Sequence, residues 1–302
     1  MSELLLLKYS LLAFTGIGTA TVGGSLLIRR TLNGLAQFFV VAFAALFLFF
    51  VDIYIVEPNW IEIHHVQIHD KELTKILGAT KMVQITDLHM TRGIRFREWR
   101  LIQKINQLKP ELIFITGDFV DGLDQIPAMN RFIKSLHARV GIFGVPGDTD
   151  EIFVDGHSLA KLLQPSGLQM LVNENRKIDL PNRKTLWLLG RDYPGYDDGE
   201  SAKSLNGIPP GVPILALTHL PQFFDQAVRQ RINLVLAGDT HGGQVGIPWL
   251  VRLSEYAYRG PYMNGLFKKE KTQMYVNRGI GTKTLPIRFL CRPEIAVIEI
   301  TG

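Results

Sequence analysis

Leu35 to Val56 is a run of 22 residues in which Asp52 is the sole charge, and Phe38 to Val51 is apolar without a break. Coiled as a helix, such a run is ~33 Å long at ~1.5 Å per residue, which matches a hydrocarbon core of ~30 Å. A helix in a soluble core is apolar along one stripe and seldom on every face for so long, so the run is read as a membrane span. Leu11 to Ile28, rich in Gly and Thr, is a second and weaker span of the kind that packs against a neighbour in lipid. Arg29 and Arg30 lie between the two. Basic residues stay on the cytoplasmic side, which keeps that linker inside and sends everything after Val56 across. Residues 1–56 are therefore expected to form an anchor of one or two transmembrane helices, and residues 57–302 a separate folded domain.

Composition narrows the classes. The net charge of +5 would suit an anionic partner, but the basic residues are scattered, with no arm or stripe, so no nucleic acid is expected. The single cysteine, Cys291, excludes an internal disulfide framework and a cysteine-based zinc site.

After residue 57 short apolar runs alternate with amphipathic stretches. Met82–Thr86, Leu112–Thr116, Gly141–Val145, Leu186–Gly190, Ile214–Leu217, Leu234–Ala237 and Glu294–Ile300 read as strands, and the regions near Phe96–Leu108, Met129–His137 and Gln222–Gln230 as helices. This alternation predicts an α/β domain, in which function is carried by loops at the carboxyl ends of strands. Five of those ends carry acids or histidines: Asp87 and His89, Asp118, Asp148 with Asp150, His219, and Asp239 with His241. One Asp after a strand is ordinarily a turn or cap residue, and one His a satisfied polar side chain. Capping has no need of histidine, however, and five ends behaving alike point to a shared centre. Asp and His without Cys suit Mn²⁺, Fe²⁺, Zn²⁺ or Mg²⁺. Alternation along a strand would let Asp87 and His89 reach one ion with Leu88 turned into the core, and Asp239 and His241 have the same spacing. Seven ligands exceed one ion's needs, so two divalent ions are expected, which clamp and polarise a phosphoryl group and activate a water.

The ordered set Asp-x-His, Gly-Asp, Gly-Asp-Thr-Asp, a lone His and Gly-Asp-Thr-His resembles the signature of the calcineurin-like metallophosphoesterases. Within them it looks like the bacterial membrane-anchored branch, which includes exported phosphodiesterases and UDP-2,3-diacylglucosamine pyrophosphatases. The likeness runs through 57–302, including the tails Tyr275–Gly281 and Leu285–Phe289. It implies two packed β-sheets flanked by helices, a four-layer sandwich with the metals at the sheets' common edge. It also implies a first ion on Asp87, His89 and His241, a bridging Asp118, and a second ion on Asp118, Asp148, His219 and Asp239. A lipid-linked phosphodiester or pyrophosphate is the implied substrate, and the bacterial cytoplasmic membrane the implied location. A UDP-linked lipid would place the domain in the cytoplasm, whereas Arg29 and Arg30 place it outside.

Three positions depart from the pattern: Asp148 replaces an Asn, Asp239 a His, and Thr149 the His that protonates a leaving group or stabilises phosphate. Four carboxylates against two divalent ions leave no formal surplus of positive charge, which weakens Lewis acidity and favours oxygen-loving ions. Losing the histidine forfeits an effect of ~10²–10⁴ in rate, least felt with good leaving groups. Asp150, Arg278 and Lys283 are the candidates to replace it, so Asp118, Asp148, Thr149 and Asp150 form the expected catalytic group. The alternative reading is a catalytically weakened metal-binding relative that serves as a binding or assembly partner.

Overall fold

Side chains of successive strand residues point to opposite faces, and here that alternation sorts the apolar residues into layers. The computed structural model describes residues 34–181, 183–192, 204–247, 249 and 260–302. The predicted span Leu11–Ile28 and the arginine pair 29–30 lie outside them. The described strands are β1 (Glu62–His69), β2 (Met82–Ile85), β3 (Leu112–Thr116), β4 (Gly141–Val145), β5 (Leu168–Met170), β6 (Glu174–Asp179), β7 (Thr185–Gly190), β8 (Ile214–Leu217), β9 (Leu234–Ala237), β10 (Gly265–Lys269), β11 (Thr272–Val276) and β12 (Glu294–Thr301). They form two six-stranded sheets, in the orders β1-β12-β2-β3-β4-β5 and β10-β11-β9-β8-β7-β6. The run β2 to β5 is parallel, as is the run β11-β9-β8-β7.

Met82, Leu112 and Phe114 from the first sheet share one buried cluster with Leu188, Leu215, Leu217, Leu234 and Leu236 from the second, so two inner faces meet. Their neighbours Val83, Ile85, Ile113 and Ile115 face the other way, against Leu101, Ile105, Met129, Phe132 and Leu159 of the helices Phe96–Leu108, Ile126–Lys134 and Gly156–Leu163. Ala216, Val235 and Met274 do the same on the second sheet, against Phe224 and Ala227 of the helix Phe224–Arg229. Strands covered on both faces read as unbroken apolar runs, which is why they were legible. The result is the expected sandwich of helices, sheet, sheet and helix. Gln84 crosses the central layer, its amide donating to Thr116 Oγ1 (3.0 Å) and to the Ala237 carbonyl (2.9 Å). These two bonds tie β2, β3 and β9 together at the edge where their loops begin.

The chain divides into two units between Asp52 and Ile53. The reason is local: Ile53 is buried, its carbonyl accepts from Arg288 N (3.0 Å), and the Glu57 carboxylate accepts from Cys291 N (2.6 Å). In the first unit, Gly34–Val51 is helical and exposes its large apolar side chains. With the turns that follow, Gly34–Asn59 spans 26 residues and contains an 18-residue stretch with a mean hydropathy of 2.7, long and apolar enough to cross a bilayer.

Candidate metal centre

The loops after β2, β3, β4, β8 and β9 all leave the same edge, because those strands run parallel within each sheet. Six of the seven predicted ligands are buried there; Asp148 alone is half-buried. Ligand atoms of Asp87, His89, Asp118 and His241 lie within 4.8 Å of one another, as do those of Asp118, Asp148 and His219. Asp118 belongs to both sets: its Oδ2 is 3.3 Å from His89 Nε2 and its Oδ1 is 3.4 Å from His219 Nε2. The Asp239 carboxylate stands at the margin, 3.7 Å from His219 Nε2, while its backbone N–H donates to both Asp87 oxygens at 3.2 Å.

The convergence does not come from strand alternation. β2 ends at Ile85, and Asp87 and His89 both have left-handed backbones, with φ of 51° and 42°. Asp118, Asp239 and His241 share that conformation, at 53°, 75° and 51°. Such residues are strained by about 1–3 kcal/mol and persist only where their surroundings impose them. Leu88 is buried in the core as expected, but by a turn and not by pleating. Asp239 and His241, despite their matching spacing, face different clusters: His241 Nε2 lies 3.3 Å from Asp87 and 3.1 Å from His89 Nε2.

Close approach of the loops depends on glycine. A Cβ on Gly147 would sit 2.2 Å from both the amide N and Oδ1 of Asp118, and one on Gly238 would sit 2.1 Å from Thr86 Oγ1. Behind them, the Arg288 guanidinium is buried and donates to the carbonyls of Arg278, Gly279, Gly281 and Cys291. It thereby fixes the turn whose Gly281 N–H donates to Asp87 O at 2.6 Å.

The donor set fits divalent ions. His219 Nδ1 donates to the Thr116 carbonyl at 2.8 Å, which turns the Nε2 lone pair of the neutral ring toward Asp118, Asp148 and Asp239. That arrangement is repulsive unless a cation or proton stands between them. His89 is similar, its Nδ1 bonded to Asp121 Oδ1 at 2.6 Å and its Nε2 turned inward. Anchoring one ring nitrogen to an oxygen is how metal-binding histidines are oriented. Two ligands of one ion at ~2.1 Å and ordinary angles lie ~3.0–3.4 Å apart, the separations seen here.

Electrostatics mark the same groups. Burial raises the Asp87 carboxyl, opposed by His219 and reinforced by Asp118. Burial works against the charged form of His219, yet Asp118, Asp148, Asp87 and Asp239 carry it well above its usual value. Burial, then His89 and Arg288, hold His241 well below its own. Asp148 would be raised by burial, but His219 and the Lys283 ammonium hold it far below the carboxylate range.

The remaining predicted residues fall into place unevenly. Thr149 is buried, donates its hydroxyl to Asp118 Oδ2 (2.8 Å) and its amide to Asp118 Oδ1 (2.9 Å), and so orients the shared carboxylate. Asp150, read from sequence as a loop residue, is fully buried. It accepts from the amides of Phe119, Val120 and Gly147 at 2.9–3.2 Å. Burial and the nearby Asp118 charge push its carboxyl up to about 7 against those amides. It clamps the β3 and β4 loops together. Arg278 turns to Glu294 (2.6 Å) and Glu62 (2.9 Å), whereas Lys283 reaches Asp148 at 3.0 Å. The sequence reading missed Asp121, an acid three places after Asp118 with no spacing rule to single it out.

Comparisons with known proteins converge on the same segments. The chain is 30% identical over 249 residues to a zebrafish (Danio rerio) transmembrane protein with metallophosphoesterase domain, covering 77% of this chain and 56% of the relative. It thus spans little more than half that relative's length. It is 28% identical to the metallophosphoesterase YkuE of Bacillus subtilis, over 81% of this chain and 87% of the relative. To the phosphodiesterase YaeI of Escherichia coli it is 28% identical, over 81% and 90%. The calcineurin-like phosphoesterase family matches residues 80–243, a stretch that holds all five loops and both ligand sets. A match across more than half of the chain, over a buried Asp and His constellation suited to divalent metal, establishes that this protein belongs to the calcineurin-like phosphoesterases and is a metal-dependent phosphoesterase.

Proposed function

We propose that the protein is a membrane-anchored, dinuclear hydrolase of a phosphodiester or pyrophosphate bond in a lipid-linked substrate. The carrying observation is Asp118, whose two carboxylate oxygens face His89 in one cluster and His219 in the other. In this reading Asp87, His89 and His241 hold a first divalent ion, and Asp148, His219 and Asp239 a second, with Asp118 shared. When bound, the ions supply Lewis acidity toward the phosphoryl oxygens. The chain's own residues do the rest. Thr149 orients Asp118, the backbone-clamped Asp150 holds the loops in register, and Asp121 and the Thr116 carbonyl fix the rings of His89 and His219. The burial of every ligand candidate except Asp148 limits water around them, which strengthens each electrostatic contact. With Thr149 in place of a histidine, no imidazole from that position serves a poor leaving group. This favours activated diesters and pyrophosphates over monoesters.

Anchoring through residues 1–56, with 57–302 as the catalytic part, is supported by the apolar helix Gly34–Asn59 and by a transmembrane protein among the relatives. In this reading the membrane is a bacterial cytoplasmic one, as the resemblance implies, and Arg29 and Arg30 support the outer side for the domain. A lipid-linked pyrophosphate such as UDP-2,3-diacylglucosamine fits the opposite side, so a topology reporter after Gly302 separates the two substrate classes. The activity is tested with the full-length protein in detergent, Mn²⁺, bis-(p-nitrophenyl) phosphate and p-nitrophenyl phosphate. The diester should turn over faster, and Asp118→Asn should abolish turnover by roughly 10³-fold or more and lower the bound metal. Faster monoester turnover would refute the substrate preference, and activity surviving in Asp118→Asn would refute the site.

A further inference from the structure

Relative to the pattern it resembles, the second cluster has gained carboxylates at Asp148 and Asp239 and lost imidazoles at Thr149 and Asp239. What the fold supplies in exchange is an ammonium group. Lys283 Nζ lies 3.0 and 3.3 Å from the two oxygens of Asp148 and 3.9 Å from Asp118 Oδ2. Its side chain is only 24% exposed. Its backbone N–H donates to Gln244 Oε1, and the amide of Gln244 donates to the carbonyls of Leu285 (3.1 Å) and Ile287 (3.3 Å). The lysine is thus carried over the cluster by a pinned loop. Neither of the other candidates reaches this position: amides take up Asp150, and Arg278 faces Glu294 and Glu62.

We propose that Lys283 is the phosphoryl-binding cation of this site and that it competes with the second divalent ion for Asp148. The inference rests on the dinuclear reading above. An ammonium at 3.0 Å neutralises a carboxylate and repels any cation drawn to the same oxygens, and in a largely buried site that repulsion is poorly screened. Lysine is a point charge on a flexible four-carbon stem. It swings from Asp148 to a phosphoryl oxygen as substrate arrives, which leaves the carboxylate to the ion. Removing the ammonium therefore has two consequences of opposite sign: metal binds the second position more tightly, and phosphate binds less tightly. A lysine that only props the loop would, when removed, weaken both.

The test uses the full-length protein in detergent micelles, with Mn²⁺ titrated calorimetrically and inorganic phosphate then titrated into the Mn²⁺-loaded protein. In Lys283→Met the weaker Mn²⁺ constant should tighten by roughly tenfold or more while the tighter one holds, and phosphate affinity should fall by roughly tenfold. Lys283→Arg, which keeps the charge and can fork onto both Asp148 oxygens, should not tighten the weaker Mn²⁺ constant as Lys283→Met does. Constants that fall together, or that do not move, overturn the role of Lys283. A parent stoichiometry of one Mn²⁺ overturns the dinuclear reading itself.

Discussion

The two ligand clusters share Asp118 but are built differently. The first, with Asp87, His89 and His241, is buried on all sides, and two of its imidazole nitrogens sit 3.1 Å apart. The second contains Asp148, the one ligand candidate with appreciable exposure at 14%, and it has Lys283 beside it. One half is therefore a closed socket whose geometry backbone strain and packing enforce. The other is open on one side and has the Lys283 ammonium beside its carboxylates. On the proposed dinuclear reading, the closed socket would hold an ion that stays, and the open one an ion and a phosphoryl group that arrive together.

Breaking the closed half should have the largest effect. His241→Asn is expected to remove the first ion and lower diesterase activity by roughly 10³-fold, measured as bound metal and turnover in the same preparation. Loss of the second ion instead would reverse the assignment. A smaller effect is expected at the open half. Asp148→Asn removes the carboxylate while leaving the Lys283 ammonium, so the weaker Mn²⁺ affinity should drop by roughly 10–100-fold and the tighter one should hold. Equal losses at both positions would show that the clusters are not separable.

The smallest effect concerns the support of the open half. Glu151 follows Asp148 on the helix Asp148–Phe153, and burial with the neighbouring Asp192 charge pushes its carboxyl from 4.5 up to about 7. The folded protein then holds this proton more tightly than the unfolded chain. Stability from this group is greatest below pH ~4.5 and is lost as pH rises through about 7. Glu151→Gln should flatten the fall in Tm between pH 5 and 8, with a greater relative gain at pH 8. An unchanged slope would remove Glu151 from the account.

Much of the first sheet could be read directly. Leu112–Thr116 and Gly141–Val145, and Ile214–Leu217 of the second sheet, begin and end where their runs do, because strands covered on both faces are predominantly apolar and take a polar residue only where a hydrogen bond satisfies it, as Gln84 and Thr116 satisfy each other. The helix Phe96–Leu108 also matches, since its apolar stripe sits against the sheet. The short strands β5 and β6 and the hairpin β10–β11 escaped notice: β6 and β10 lie at a sheet edge with exposed, charged residues, and three residues make too short a run. The run Glu294–Ile300 marks β12 as a strand, but nothing in its residues places it between β1 and β2, antiparallel to β2.

The sequence by itself determined which chemistry is available: acids and histidines at five strand ends, no thiolate partner for them, and a long apolar helix ahead of them. Those are local properties, written by residue type and period. Tertiary structure alone decided that left-handed turns, not strand alternation, bring Asp87 and His89 together, that Asp150 clamps the loops while Lys283 faces the cluster, and that Asp121 orients His89. Each of these depends on where loops distant in the chain come to rest against one another. A side chain's partner across a sheet edge is set by packing and backbone turn, which no spacing along the chain encodes.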